Sequence, residues 1–135
     1  MTAPLYIHLP NASMLPALGP EPFKVLLIAE SIVLDEWRVK ICEDLARSGC
    51  RYLVAWGQDC KEWSVAMGRT GENLVVTGAT VDEPLAEAMW LAVHEAEHPT
   101  LTLHALVIAH VTPHARRDEI LFQFHSAAMR EKPGL

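Results

Sequence analysis

Phe23–Ala29 reads FKVLLIA, seven residues of which only Lys24 is polar. An apolar run of that length has no face left for water. It is expected as a strand covered on both sides, which is the signature of the interior of a parallel sheet. That requirement commits the chain to helices on both faces of the sheet. The downstream sequence supplies them. Leu34, Trp37, Ile41 and Leu45 recur at helical spacing and predict a helix over Asp35–Ser48, with Gly49 suited to the left-handed position that ends it. Tyr52–Trp56 (YLVAW) predicts a second buried strand. Asp59 and Glu62 have capping-box spacing at the head of a short helix ending near Gly68. Leu74–Thr77 predicts a third strand. Asp82 and Pro84 open a helix expected to run to Pro99. Leu101–Val111 contains a fourth strand, and Thr112-Pro113 and Asp118 are competing starts for a last helix.

Strands separated by helices imply βαβ units. The expected fold is therefore α/β: a three-layer sandwich with a mainly parallel sheet of four main strands, a minimal Rossmann-like or flavodoxin-like arrangement. The expected organisation is a single domain over residues 22–135, preceded by an extended arm, residues 1–21. Pro4, Pro10, Pro16 and Pro20 punctuate that arm, and Leu5–Leu9 is its one candidate edge strand. At 135 residues the length suits one domain.

Composition narrows the function classes. The net charge of −6 disfavours nonspecific nucleic-acid binding, which needs a basic surface. No apolar run, Ala105–Ala109 included, approaches the length of a membrane span. The first residues lack the basic and apolar regions of a signal peptide, so a cytoplasmic location is expected. Three cysteines, Cys42, Cys50 and Cys60, without C-x-x-C spacing fit reduced thiols.

His94-Glu95-Ala96-Glu97-His98 matches H-E-x-x-H, in which two imidazoles on one helical face hold zinc and the Glu activates a water. A zinc-dependent hydrolase using His94, Glu95 and His98 is one alternative for the chain. On a helical wheel, however, Leu85, Ala88, Met89, Ala92, Val93 and Ala96 form the core face, while His94 and His98 point outward. The expectation is thus no cofactor and no metal. Trp90, His94 and His98 are expected as a protein-contact or self-association surface, compatible with a homodimer.

In open α/β sheets, ligands sit outside the carboxyl ends of the strands. Those positions here are Glu30, Trp56, Asp59, Cys60, Asp82, Glu83 and His110. Two chemistries fit them. Cys60 at a helix start, with His110 as base and Asp59 or Glu30 as orienting group, would be a thiol nucleophile. Alternatively Glu30, Asp59, Asp82 and Glu83 offer hard oxygens to Mg²⁺. The phosphate-cradling G-x-G-x-x-G, the Walker loop and the G-x-S-x-G elbow are absent. The leading expectation is a non-catalytic domain that binds a small ligand or a protein partner. A thiol-dependent enzyme at Cys60 is the second alternative.

The strings Ala55-Trp56-Gly57-Gln58-Asp59-Cys60, Asp82-Glu83-Pro84-Leu85 and His94 through His98-Pro99 resemble A-W-G-x-D-C, D-E-P-L and H-x-x-x-H-P segments of an uncharacterised family of small bacterial proteins. The resemblance spans roughly residues 22–125. It implies no activity, substrate or cofactor, and directs attention to Trp56, Asp59, Cys60, Asp82 and Glu83.

Overall fold

A computed structural model describes residues 3–19, 21–71, 73–79 and 82–130. The elements run β1 (Leu5–His8), β2 (Phe23–Ala29), α1 (Asp35–Ser48), β3 (Cys50–Gly57), α2 (Cys60–Gly68), β4 (Val75–Ala79), α3 (Leu85–His94), β5 (Ala105–Val111) and α4 (Arg117–Ala128). The sheet is five-stranded and wholly parallel, in the order β1-β5-β2-β3-β4. The expected four main strands become five. Leu5–His8, within the N-terminal arm, pairs in register with Val107–His110 of β5 and forms an edge of the sheet.

The apolar run of β2 does what its composition requires. Val25, Leu27 and Ala29 face one core, with Trp37, Ile41 and Leu45 of α1 and Trp63 and Met67 of α2. Leu26 and Ile28 face the other, with Ala88, Met89 and Ala92 of α3 and Ile120, Phe124 and Ala127 of α4. Alternation of side chains along a strand thus divides one strand between two cores. The result is three layers: α1 and α2, the sheet, then α3 and α4.

Gly49 ends α1 at φ 114°, and its N–H donates to the Ala46 and Leu45 carbonyls, as its place in the sequence predicts. Asp59 does stand at the head of α2, but in the left-handed region and with no side-chain cap bond. Its carboxylate accepts instead from Arg38 Nη2 at 3.3 Å, so no capping box forms. Arg38 also donates to Asp35 at 2.6 Å and lies over the Trp63 ring. That side chain, 6% exposed, ties α1 to the start of α2.

The chain leaves β2 through α1 to β3 and through α2 to β4, moving steadily toward one edge. It then returns through α3 to place β5 on the other side of β2. The direction of winding therefore reverses between β2 and β5. In open α/β sheets, ligands bind outside the carboxyl ends of the strands at such a reversal.

Candidate functional site

Glu30 follows the last residue of β2 and His110 lies one residue before the end of β5. They meet at the point where the winding reverses. The Glu30 N–H donates to the Val111 carbonyl at 2.9 Å, which closes the two strand ends together. His110 occupies the position in β5 that continues the inward series Leu106, Ile108. Its side chain is 0% exposed. One ring nitrogen, Nε2, bonds the Glu30 carboxylate, and the other, Nδ1, lies 2.6 Å from the Tyr6 hydroxyl. A carboxylate only accepts, so Nε2 carries the proton and Nδ1 accepts from the phenol. A single neutral tautomer satisfies both contacts.

Arg116, the residue before α4, completes the cluster. Its Nη2 lies 2.8 and 2.9 Å from the two Glu30 oxygens, and its Nε bonds Glu119 at 3.1 Å. Its backbone N–H approaches the Tyr6 oxygen at 3.4 Å. His8 lies beside His110 in the β1–β5 register, and its Nε2 donates to the Thr112 carbonyl at 2.7 Å.

The electrostatics follow from this packing. Burial raises the Glu30 carboxyl pKa, but the bonds from His110 and Arg116 outweigh it, and the net shift is downward. Burial also pushes the His110 imidazole below its ordinary value, against the opposing pull of Glu30. Burial raises the Tyr6 phenol. At neutral pH the arrangement is an ionised Glu30, a neutral His110 and a protonated Tyr6.

The remaining residues expected at this edge do not join the cluster. Trp56 Nε1 donates to the Glu83 carbonyl at 2.8 Å, Asp59 is engaged by Arg38, and Asp82 is exposed. The proposed thiol triad does not assemble. The His110 ring faces the α3/α4 layer, whereas Cys60 begins α2 on the opposite face of the sheet. Burial raises the Cys60 thiol pKa, the reverse of an activated nucleophile. Cys42 and Cys50 are buried, and burial pushes both up to about 12.

The H-E-x-x-H string is not helical throughout. Helix α3 stops at His94, four residues before His98. Pro99 disfavours the helical region for the residue preceding it. His98 turns inward, 8% exposed, where Nδ1 accepts from the Thr100 and Leu101 amides, each at 3.1 Å, and Nε2 donates to the Asn73 carbonyl at 3.2 Å. Both of its nitrogens are spent on loop backbone. His94 Nε2 donates to the Ala128 carbonyl at 2.8 Å, and Trp90, whose ring centre lies 4.8 Å from that of His94, donates to the Arg130 carbonyl at 3.2 Å. Trp90 and His94 thus satisfy carbonyls at the carboxyl end of α4, and His98 is not part of their face. Among the described residues no three His, Cys, Asp or Glu side chains converge as a metal-binding group. Among them, too, no helix is long and apolar enough to cross a membrane.

Tyr6 and Arg116 are the residues that sequence reasoning did not single out. Tyr6 alternates with the core residue Ile7 in the candidate edge strand, and Arg116 sits just ahead of the last helix. Those were the available signals. Arg116 meets Glu30 across 86 residues of chain, and Tyr6 meets His110 across 104.

Residues 4–127 match Domain of unknown function (DUF7684). The chain belongs to this family. No curated protein and no solved structure matches it. Within the DUF7684 chain, the geometry at the β2–β5 junction is therefore the source of any functional argument.

Proposed function

We propose that this DUF7684 protein is a minimal Rossmann-like domain that binds a small polar ligand at the β2–β5 crevice, through Glu30, His110 and Arg116. The order β4-β3-β2-β5 follows the doubly wound pattern in which ligands sit where the winding reverses. The residues after β2, Glu30-Ser31-Ile32, contain no glycine, which argues for a ligand smaller than a dinucleotide.

The observation that carries this reading is the fully buried His110. A leucine there would continue the apolar series of β5 and involve no desolvation. A buried polar network is instead costly unless every member is bonded. Groups with perturbed ionisation gathered in a cleft mark functional sites more often than chance. A groove of about 470 Å³ lies by the amino ends of β3 and β4 and is lined by Arg47, Arg51 and Asn73. Its titratable residues, Glu43, Arg47 and Arg51, are not buried as His110 is, so volume alone does not favour that groove.

The reading is tested by two-dimensional NMR titration with a library of small polar metabolites. Binding is expected to shift the amides of Glu30, Thr112 and Arg116 together, and the response is expected to vanish in Arg116→Ala. Ligands that shift only Arg47, Arg51 and Asn73 would refute it.

A second reading, contact with a protein partner or a second copy, is favoured by the α3/α4 face. Phe122 is 74% and Met129 76% exposed, and Phe122 borders an apolar groove with Leu85 and Met89. Phe122→Ser is expected to reduce any association seen by light scattering. An unchanged mass distribution would remove this reading.

A further inference from the structure

We propose that Tyr6 is a base-assisted phenol capable of covalent group transfer, with His110 as its general base and Glu30 as the residue that positions His110. The proposal goes beyond ligand binding but rests on the same crevice being open to small molecules.

Three observations support it. The bonds Tyr6 to His110 and His110 to Glu30 form one directed chain, with the phenolic proton aimed at a ring nitrogen whose tautomer is fixed from the other side. This is the logic of an activated nucleophile: an attacking oxygen, a base within hydrogen-bond reach and a third group orienting the base. The burial is graded. His110 is wholly enclosed, while Tyr6, on the edge strand β1, is only partly buried. The base is therefore shielded from water and the phenol stands at the boundary. Finally, the amino end of α4 lies beside the phenol, with the Arg116 amide directed at its oxygen. A helix amino terminus stabilises negative charge developing there.

The substrate class is an activated acyl donor. Tyr6 Oη attacks the electrophilic carbon and forms the new C–O bond. The bond to the leaving group breaks, and the leaving group takes the electron pair. The phenolic proton passes to His110 Nδ1, and the resulting imidazolium is balanced by Glu30. His110 then returns that proton to the leaving group, and water later hydrolyses the aryl ester. The Arg116 guanidinium at the rim stabilises the negative charge that builds on the leaving group before His110 protonates it.

The chain has two tyrosines, and Tyr52 is 6% exposed, so it serves as an internal reference. The full chain is treated at neutral pH with an aryl sulfonyl fluoride, a probe that traps reactive phenols, and the product is mapped by mass spectrometry. Tyr6 is expected to label at least about tenfold faster than Tyr52 and than N-acetyltyrosine amide. His110→Gln is expected to remove that advantage. Glu30→Gln, kept as the milder variant, is expected to move the acid limb of the pH–rate profile downward, because Glu30 is what supports the protonated imidazole. Labelling of Tyr6 no faster than the free amide, or an unchanged rate in His110→Gln, would overturn the proposal. Metabolite binding at the crevice without such labelling would leave the binding reading standing and defeat this one.

Discussion

Replacing Glu30 by Gln removes one charge while keeping shape and one acceptor oxygen, so it isolates what the carboxylate does. In the native protein that carboxylate accepts from His110, which is fully buried, and from Arg116, whose side chain is 38% exposed. Charge-assisted bonds are worth roughly 1.5–3 kcal/mol each when buried. The Arg116 pair must be discounted toward the surface range of about 0–1 kcal/mol. Gln retains an acceptor for His110 Nε2, which recovers part of the other bond. The expected loss is about 1–2 kcal/mol at pH 7. For a chain of this size that lowers Tm by roughly 3–10 °C. The pH dependence carries a definite sign. Glu30 is held below its ordinary value of 4.5, so its contribution is present above that pH and is lost as pH falls through the lower native value. Urea melts of both proteins from pH 8 to pH 3 should therefore show a gap at pH 7 that closes on the acid side. Equal stability at pH 7, or a gap that persists undiminished at pH 3, would refute this account of the cluster.

Three further outcomes follow from the same structure. Gly57 holds φ 108°, and a Cβ there would collide with the Ala29 carbonyl, so Gly57→Ala should cost about 2–5 kcal/mol by chemical denaturation. His98→Ala, which strips partners from the Thr100, Leu101 and Asn73 backbone, should cost about 1–3 kcal/mol whether or not zinc is supplied, whereas a zinc-dependent loss would restore the metal reading. Alkylation of native protein at neutral pH should reach Cys60 slowly and leave Cys42 and Cys50 unmodified until the chain unfolds, and rapid labelling of Cys60 would revive the thiol alternative.

The parts of the fold that were legible are those in which local pattern and tertiary environment agree. Phe23–Ala29 has no polar face, so it could only be an interior strand, and Asp35–Ser48 carries both its apolar stripe and its terminating Gly49. The readings that changed are those settled by distant partners. Glu95 to His98 is helix-compatible in composition, yet His98 gains more by turning inward to the Asn73 carbonyl and two loop amides than by extending α3. Leu5–His8 is short and flanked by Pro4 and Pro10, so local pattern alone does not fix it, and it becomes a strand because β5 offers an unpaired partner. Glu30 and His110 were legible as strand-end residues from topology alone. Their union with Tyr6 and Arg116 was not, because no local pattern connects residues 6, 30, 110 and 116.

The cluster turns on a neutral His110 fixed between Tyr6 and Glu30. The most direct test is the ¹⁵N resonance pair of its ring, recorded from pH 8 to pH 5 on ¹⁵N-labelled protein and assigned with His110→Gln. The structure predicts a proton on Nε2, an acceptor at Nδ1, and a titration midpoint below the ordinary 6.5 of histidine. A proton on Nδ1, or a midpoint at or above 6.5, would contradict it.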